Sequence, residues 1–278
     1  MNTKFWLNPA LILTLLILGT ISYANDGKKN LSVLVYTKNG KGYVHDNIAA
    51  SVQCIEELGK ENGFTVNVTD NPAIFNEKEL VKYQAIIFTS TNNDVFDNDE
   101  QRLNFRRYIE AGGGFVGIHS VTGTERNWKW FKMMVGETFT WHAKFQSFSL
   151  INIDPTHPSM KDMPRIWTKE DECYFGKEMY PGIKVLMMHD VSTLQQDQKE
   201  LIQKNAGTYD QYFPAVWYQY FQGGNIWVST LGHDKNNYQN DVFRKHLLQG
   251  IEYVLNQYQG LHYEKAFAVN INDPLKLN

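Results

Sequence analysis

The feature that most constrains the fold is the stretch GGGFVGIHS at residues 112–120, a glycine-rich turn followed by a short apolar run. The apolar run is typical of a buried strand, and it stops at His119 with Ser120 behind it. Open α/β sheets bind ligands beyond the carboxyl ends of their strands. The stretch therefore predicts an α/β fold with chemistry at His119. Hydrolases with a nucleophile elbow carry Ser or Cys at this position, so an imidazole indicates a different reaction.

The first 24 residues predict a signal peptide that is not part of the fold. Lys4 supplies a positive region, residues 11–18 (LILTLLIL) are apolar, and residues 22–24 (SYA) fit a small-x-small cleavage site. The apolar run is shorter than the roughly 20 residues of a transmembrane helix. We therefore expect a protein exported to a bacterial periplasm, with no stable membrane span after cleavage. Residues 25–278 are expected to form a single domain with its core at about residues 31–256.

Composition and glycine placement exclude some classes of partner. The net charge is −3 and no block of like charges occurs, whereas a nucleic-acid-binding protein normally has a basic face. Gly112, Gly113 and Gly114 precede their strand, but phosphate-binding loops follow theirs, so no nucleotide cofactor is expected.

The high aromatic content of 14% suits a core or a sugar site. The chain has two cysteines, Cys54 and Cys173, which are too few for a framework of several disulfides.

The order of apolar and polar segments predicts alternating strands and helices. Residues 31–36 and 64–68 read as strands around a helix with apolar residues at helical spacing, and such a βαβ unit begins a parallel sheet. Further strands are expected at residues 83–89, 145–153, 184–188, 215–220 and 225–230, with helices at 76–81, 98–110, 127–135 and 238–256. The pattern predicts a mostly parallel central sheet with helices on both faces, a C-terminal β-hairpin and a long final helix.

Three histidines follow predicted strands. His45 comes after the first strand, His119 ends the central strand, and His233 comes after the last one. Since the carboxyl ends of parallel strands lie along one edge, we expect these rings to approach within roughly 4–6 Å of one another. His142, in an irregular loop, and the carboxylates of Asp171 and Glu172 could join them; the other histidines are expected to be structural or on the surface.

Two chemistries fit this set of side chains. Imidazoles with a carboxylate could hold Zn²⁺ or a similar divalent ion. Alternatively, His119 or His233 could act as a metal-free general base or acid. A serine nucleophile at Ser120 is disfavoured because the local sequence is GIHSV instead of GxSxG.

Several motifs together resemble the trehalose-utilisation (ThuA-like) domain family. They are VLVYTKNGKGYVHD, GGGFVGIHSVTGTERNWKWF, WHAKFQSFSLINIDPTHPSM, WTKEDECYFG and PAVWYQYFQGGNIWVSTLGHD, in that order. The resemblance implies a flavodoxin-like sheet related to class I glutamine amidotransferases, in which an elbow Cys and a later His form a triad with an acid. Here His119 occupies the elbow and His233 matches the later His, so the thioester chemistry of those relatives has no nucleophile.

The resemblance implies carbohydrate catabolism. We expect an enzyme that acts on an oxidised glycoside, such as a 3-keto-glucoside, by hydrolysis or β-elimination; the alternative is a non-catalytic carbohydrate-binding protein on the same scaffold. The expected partner is a carbohydrate, and homo-oligomerisation stays open. The candidate residues are His119, His233, Glu172 and Asp171 for catalysis, His45, His119 and His233 for a metal, and His45, Trp128, Trp141, His142 and Gln146 for substrate contact.

Overall fold

The computed structural model describes Met1, residues 31–205 and residues 210–276. Apart from Met1, the predicted signal peptide lies outside the described residues. Within the described ranges, no helix has the length and apolar character needed to cross a membrane.

The described chain alternates strands and helices over its first half and becomes richer in strands after residue 135. The strands are β1 (Leu31–Tyr36), β2 (Phe64–Thr69), β3 (Ala85–Thr89), β4 (Gly114–Ile118), β5 (Thr138–His142), β6 (Gln146–Asn152), β7 (Ile166–Asp171), β8 (Tyr174–Lys177), β9 (Lys184–Asp190), β10 (Tyr212–Phe221) and β11 (Gly224–Ser229). The helices are α1 (Ile48–Asn62), α2 (Glu77–Leu80), α3 (Asp99–Glu110), α4 (Lys129–Val135), α5 (Gln196–Asn205) and α6 (Asp241–Asn256).

Local sequence sets the helix boundaries. The side chain of Asn98 accepts from the backbone N–H of Gln101 at the start of α3, and Asn240 does the same for Val242 and Phe243 at the start of α6. Such caps satisfy N–H groups that have no partner within the helix. At the other end of α1, Gly63 takes a left-handed conformation with φ 80°, which glycine adopts without steric cost.

The central sheet has the strand order β2-β1-β3-β4-β11-β10-β9-β6-β7. The first five strands of this order pair in parallel, and each later pairing is antiparallel. The predicted α/β architecture is therefore confirmed, including the hairpin of β10 and β11 and the long final helix. The antiparallel extension through β7 is larger than the sequence pattern predicted.

Alternating side chains divide the core into two layers, one on each face of the sheet. Val33 and Val35 of β1 pack in the layer that contains residues of α1 and α6, whereas Leu34 and Tyr36 pack in the layer that contains residues of α3 and α4. This is the period of two that a buried strand imposes on its side chains. The second layer holds more of the buried aromatic residues than the first, for example Phe75, Phe88, Phe105, Phe115 and Phe131.

The antiparallel half of the sheet curls back toward the parallel half. Three strands separate β7 from β11 in the sheet order, yet the carboxylate of Asp171 at the end of β7 accepts a hydrogen bond from the Gly232 amide just after β11, at 2.8 Å. A flat sheet with strands about 4.8 Å apart could not make this contact. The curl brings the end of β7 to the carboxyl edge of β4 and β11.

A separate two-stranded sheet, β5 paired with β8, lies beside the turn that follows β4. His142, which was predicted to lie in an irregular loop, is the last residue of β5, so that prediction is wrong. The pairing of β5 with β8 shifts register between Phe139 and Trp141. That irregularity changes which side chains of β5 face the same way.

Candidate active site

The structure brings together three of the predicted histidines and one predicted carboxylate. His45, His119, Glu172 and His233 each offer a donor atom, and these atoms all lie within 4.8 Å of one another. The ring of His119 lies 4.6 Å from that of His45 and 5.3 Å from that of His233, measured between centroids. The expected approach of the three rings is thus observed, although the residues come from four distant parts of the chain.

His119 stands at the elbow between β4 and the 3₁₀ turn His119–Gly123. Its φ of 55° is left-handed and its side chain is fully buried. A non-glycine residue in this conformation is uncommon, and such strain often marks functional sites. Nδ1 lies 3.1 Å from the carbonyl oxygen of Thr230, which only accepts, so Nδ1 carries the hydrogen. The lone pair is therefore on Nε2, which accepts a hydrogen bond from the hydroxyl of Tyr174 at 3.1 Å.

His45 is oriented by Ser120, the residue after the elbow. The Ser120 hydroxyl donates to the carbonyl oxygen of Thr91 at 3.0 Å and also contacts His45 Nδ1 at 3.3 Å. Since the hydroxyl has one hydrogen, His45 Nδ1 donates in the second contact and the lone pair is on Nε2. This arrangement does not match a serine nucleophile, whose hydroxyl hydrogen would point to the imidazole.

Asp171 and Glu172 are adjacent in sequence but serve different positions. The buried carboxylate of Asp171 pairs with Lys169 and accepts from the backbone N–H groups of Gly232 and His233 at 2.8 and 3.0 Å. Glu172 instead faces the histidines, with Oε2 3.0 Å from His233 Nδ1 and Oε1 3.2 Å from His142 Nδ1. Asp171 therefore positions the loop that carries His233, whereas Glu172 belongs to the cluster.

Burial and nearby charge give the histidines different protonation behaviour. Burial, reinforced by the charge of His233, lowers the pKa of His45 to about 4. Burial also lowers the pKa of His119 well below its usual value. The contact with the Glu172 carboxylate raises the pKa of His233. At neutral pH, His45 and His119 are thus neutral imidazoles, the form that binds metal ions.

The cluster opens into a cavity of about 470 Å³. Its lining residues are Tyr43, His45, Asn92, Ser120, Gly123, Arg126, Phe139, His142, Glu172, Tyr174 and His233. Five of these residues were not predicted from the sequence: Tyr43, Asn92, Arg126, Phe139 and Tyr174. A signal was present for two of them, because Arg126 follows the same strand as His119 and Tyr174 lies two residues after Glu172.

Three residues predicted to contact substrate lie elsewhere. Trp128 is buried in the core on the α3 and α4 face and donates its indole N–H to the carbonyl of Ile271. Trp141 stacks against Phe175 and packs on the opposite core layer. Gln146 is buried and bonds to the backbone of Lys144 and Gln195. The aromatic side chains of the cavity are instead those of Tyr43, Phe139 and Tyr174.

The remaining histidines and both cysteines are structural or peripheral. His189 and His246 are fully buried, with contacts to Thr230 and Ser229, and His262 is half-exposed beside Glu264. His157 caps the 3₁₀ turn that follows it, accepting from the Ser159 N–H. Cys54 and Cys173 are buried and not bonded to each other.

The donor set fits a divalent metal ion. Three imidazole nitrogens and a carboxylate oxygen are ligands that Zn²⁺ and related ions use. Hydrogen bonds from Nδ1 fix the orientation of His45 and His119 and leave their lone pairs on Nε2, as is usual for metal-binding histidines. An ion on His119 would take the place of the Tyr174 hydroxyl at Nε2.

Comparisons with solved structures show the same fold in other proteins. A ThuA-like protein from Bacteroides uniformis ATCC 8492 is 19% identical with a TM-score of 0.70, over 87% of this chain and 99% of that one. A ThuA-like protein from Parabacteroides merdae ATCC 43184 is 18% identical with a TM-score of 0.62, over 82% and 90%. A protein described as part of a GMP synthase from Thermoplasma acidophilum is 10% identical with a TM-score of 0.51, over 82% and 96%. At these identities the similarity concerns the fold alone.

Family membership rests on the sequence. Among proteins with a curated description, none matches the chain. The family model of ThuA, described as trehalose utilisation, matches residues 32–254, which is most of the chain. The chain therefore belongs to the ThuA (trehalose utilisation) family.

Proposed function

We propose that this chain is an exported enzyme of sugar metabolism that cleaves an oxidised glycoside, such as a 3-keto-glucoside. The observation that carries the proposal is the cluster of His45, His119, Glu172 and His233, in which every member except His119 lines the cavity. The cavity has a volume typical of small-molecule sites, about 300–1,000 Å³. Membership of a trehalose-utilisation family supports a sugar as its occupant.

The same proposal assigns a divalent ion, such as Zn²⁺, to these four residues. Such an ion would act as a Lewis acid that polarises the ketone oxygen of the substrate. The chain itself contributes the rigid placement of the ligands. Thr230 holds His119, Ser120 holds His45, and Asp171 holds the backbone of His233.

His142 is the base in this proposal. A ketone at ring carbon C3 makes the hydrogen on C2 acidic, so a base can remove it while the glycosidic bond from C1 to oxygen breaks. His142 is the most exposed imidazole at the cavity, with 38% of its side chain accessible. Its Nδ1 lies 3.0 Å from the carbonyl oxygen of Ala143 and therefore carries the hydrogen, which leaves Nε2 free to accept a proton.

In this proposal His142 both accepts and returns the proton, so no net proton is gained or lost by the protein. His142 takes the C2 proton and returns it to the departing oxygen, so the products of elimination are an unsaturated ketone and a free alcohol. Addition of water across the new double bond then gives the hydrolysis products. Donors aimed at the developing negative charge lower the barrier to such a step. The hydroxyl of Tyr174, which lines the cavity, would become one such donor once its hydrogen bond to Nε2 of His119 is replaced.

The test combines metal analysis with turnover. The variants His233→Ala and Glu172→Gln each remove one ligand, and His262→Ala removes a surface histidine outside the cluster as the matched control. We expect the unmodified protein and the control to retain metal through purification and to release the alcohol from a 3-keto-glucoside. Both ligand variants are expected to lose metal affinity by at least about 10- to 100-fold, together with turnover.

Two results would count against the proposal. Full turnover by metal-free protein would remove the assigned ion while leaving an imidazole-based enzyme. Sugar binding without turnover of any oxidised glycoside, in metal-loaded protein, would identify a carbohydrate-binding protein instead. Export is tested separately by expressing the full chain in bacteria, where the periplasmic form is expected to begin directly after Ala24.

A further inference from the structure

We infer that the cavity contains an anion subsite built on Arg126, and that the natural sugar carries a carboxylate or a phosphate. The inference deepens the proposed function and rests on it for the statement that a sugar occupies the cavity. Arg126 lines the same cavity as His45, Glu172 and His233, and neither the reaction nor the metal ligands require a cation there.

Arg126 differs from most arginines of this chain because no acid pairs with it. Arg102, Arg106, Arg107 and Arg244 each form an ion pair with a glutamate. Across residues 31–205 and 210–276, Arg126 forms no ion pair within 4.0 Å. An unpaired guanidinium beside a cavity offers its charge and its remaining N–H groups to a ligand.

The guanidinium of Arg126 is held in place by neutral groups. Nε donates to the carbonyl oxygen of Gly123 at 2.9 Å, and Nη2 donates to Oδ1 of Asn92 at 3.3 Å. The guanidinium carbon lies 5.6 Å from the centre of the Phe139 ring, within range of a cation–π contact. These contacts orient the group without neutralising it, and within the described residues no acceptor engages Nη1.

The backbone before Arg126 is fixed as well. Glu125 has a left-handed φ of 48° and is buried. Its carboxylate accepts from the N–H of Val95 at 2.8 Å and from Nε of Arg102 at 2.7 Å. A strained residue persists only where its surroundings hold it. The chain thus anchors Glu125 firmly and presents the next side chain at the cavity, which is the preorganisation that a binding site needs.

The two charged side chains of the lining have different neighbours. Glu172 supplies the carboxylate and faces His142 and His233, whereas the guanidinium of Arg126 contacts only neutral groups among the described residues. With neutral imidazoles the two charges cancel over the lining as a whole, so the positive charge is local to Arg126. A bound divalent ion at the cluster would make the cavity positive.

Aromatic rings lie between Arg126 and the histidines. Phe139 lies under the guanidinium, and its centroid is 4.6 Å from that of Tyr174 and 6.0 Å from that of His142. Tyr174 in turn bonds His119 through its hydroxyl. A sugar held beside these rings would meet Arg126 with an anionic substituent, and a hexuronic acid or a sugar 6-phosphate carries one.

Binding of simple sugars to the metal-loaded protein tests the subsite without needing turnover. The probes are glucose, glucuronate and glucose 6-phosphate, measured by titration calorimetry with the unmodified protein, Arg126→Gln, Arg126→Lys and the surface control Arg244→Gln. We expect at least one acid to bind about 10- to 100-fold more tightly than glucose, as a charge-assisted contact allows. Arg126→Gln should bring the ratio of the affinity for the acid to that for glucose close to one. Arg126→Lys should keep part of this preference, and Arg244→Gln should keep all of it.

The outcomes separate the subsite from the proposed function. Equal affinity for glucose and both acids, or a preference that persists in Arg126→Gln, overturns the subsite. The acid that binds more tightly identifies carboxylate or phosphate as the recognised group. Turnover of a neutral 3-keto-glucoside without any preference for acids rejects only the subsite, whereas an Arg126-dependent preference without any turnover rejects only the reaction. An unchanged melting temperature of Arg126→Gln shows that a lost preference does not reflect unfolding.

Discussion

At the scale of single residues, neighbouring side chains in one short segment have opposite tasks. Asp171 points to the backbone of the loop that carries His233, and Glu172 points into the cavity. Both are acids and both lie at the end of β7, so the sequence pattern predicted the same role for both. The strand period of two separates them, and only the tertiary partners of each carboxylate reveal which one faces the histidines.

The variant Asp171→Asn should therefore destabilise the protein as well as the site. Its carboxylate is fully buried, pairs with Lys169 and accepts from two backbone amides after β11. Breaking a buried ion pair from one side costs about 3–5 kcal/mol. The control Asp197→Asn removes an exposed partner of Lys144, and because water screens such a pair its loss should cost much less. Urea denaturation measures the unfolding free energy of the two variants. Equal losses in Asp171→Asn and Asp197→Asn would contradict the structural role given to Asp171.

At the scale of elements, the paired strands β5 and β8 form one wall of the cavity. They contribute Phe139, His142 and Tyr174 to its lining. Immediately before β5 lies Glu137, a buried carboxyl whose two oxygens find no hydrogen-bond partner among the described residues. Burial raises its pKa to about 8. The wall of the cavity thus begins at an acid that stays protonated in the folded protein at neutral pH.

Glu137 should make stability fall as pH rises from about 4.5 to about 8. In that window the unfolded chain releases the proton and the folded chain retains it, so the unfolded state gains stability with pH. Each unit of pKa difference corresponds to about 1.4 kcal/mol. Thermal melts of Glu137→Gln should lack this part of the pH dependence. The exposed control Glu170→Gln should follow the unmodified protein, and identical pH profiles for all three would refute the role of Glu137.

At the scale of the whole molecule, the order of strands and helices along the chain predicted the parallel half of the sheet and the edge at which the histidines meet. The buried strands and their polar ends placed His45, His119 and His233 together, because parallel strands share one carboxyl edge. The curl that returns β7 to this edge depends on long-range packing, which no local pattern encodes. For the same reason the aromatic lining was missed: the register shift in β5 puts Phe139 and His142 on the cavity and Trp141 on the core.

Removal of the proposed ion should lower the stability of the entire domain. The four ligands follow strands in both halves of the sheet, so an ion would bind the folded state and not the unfolded one. An ion at 100 times its dissociation constant stabilises a fold by about 2.7 kcal/mol, which corresponds to roughly 5–10 °C in a domain of this size. Calorimetric scans before and after chelation, with Zn²⁺ added back, measure the shift. An unchanged melting temperature in all three scans would exclude a tightly bound ion.

The contact between Asp171 and the loop after β11 also bears on when the site comes into existence. Glu172 reaches the three histidines only after the antiparallel strands have closed over the parallel ones. No early folding unit made of the N-terminal strands holds the complete set of donors. In a chain exported before it folds, the ion would be taken up in the compartment where folding ends, so that compartment would decide which metal the protein carries.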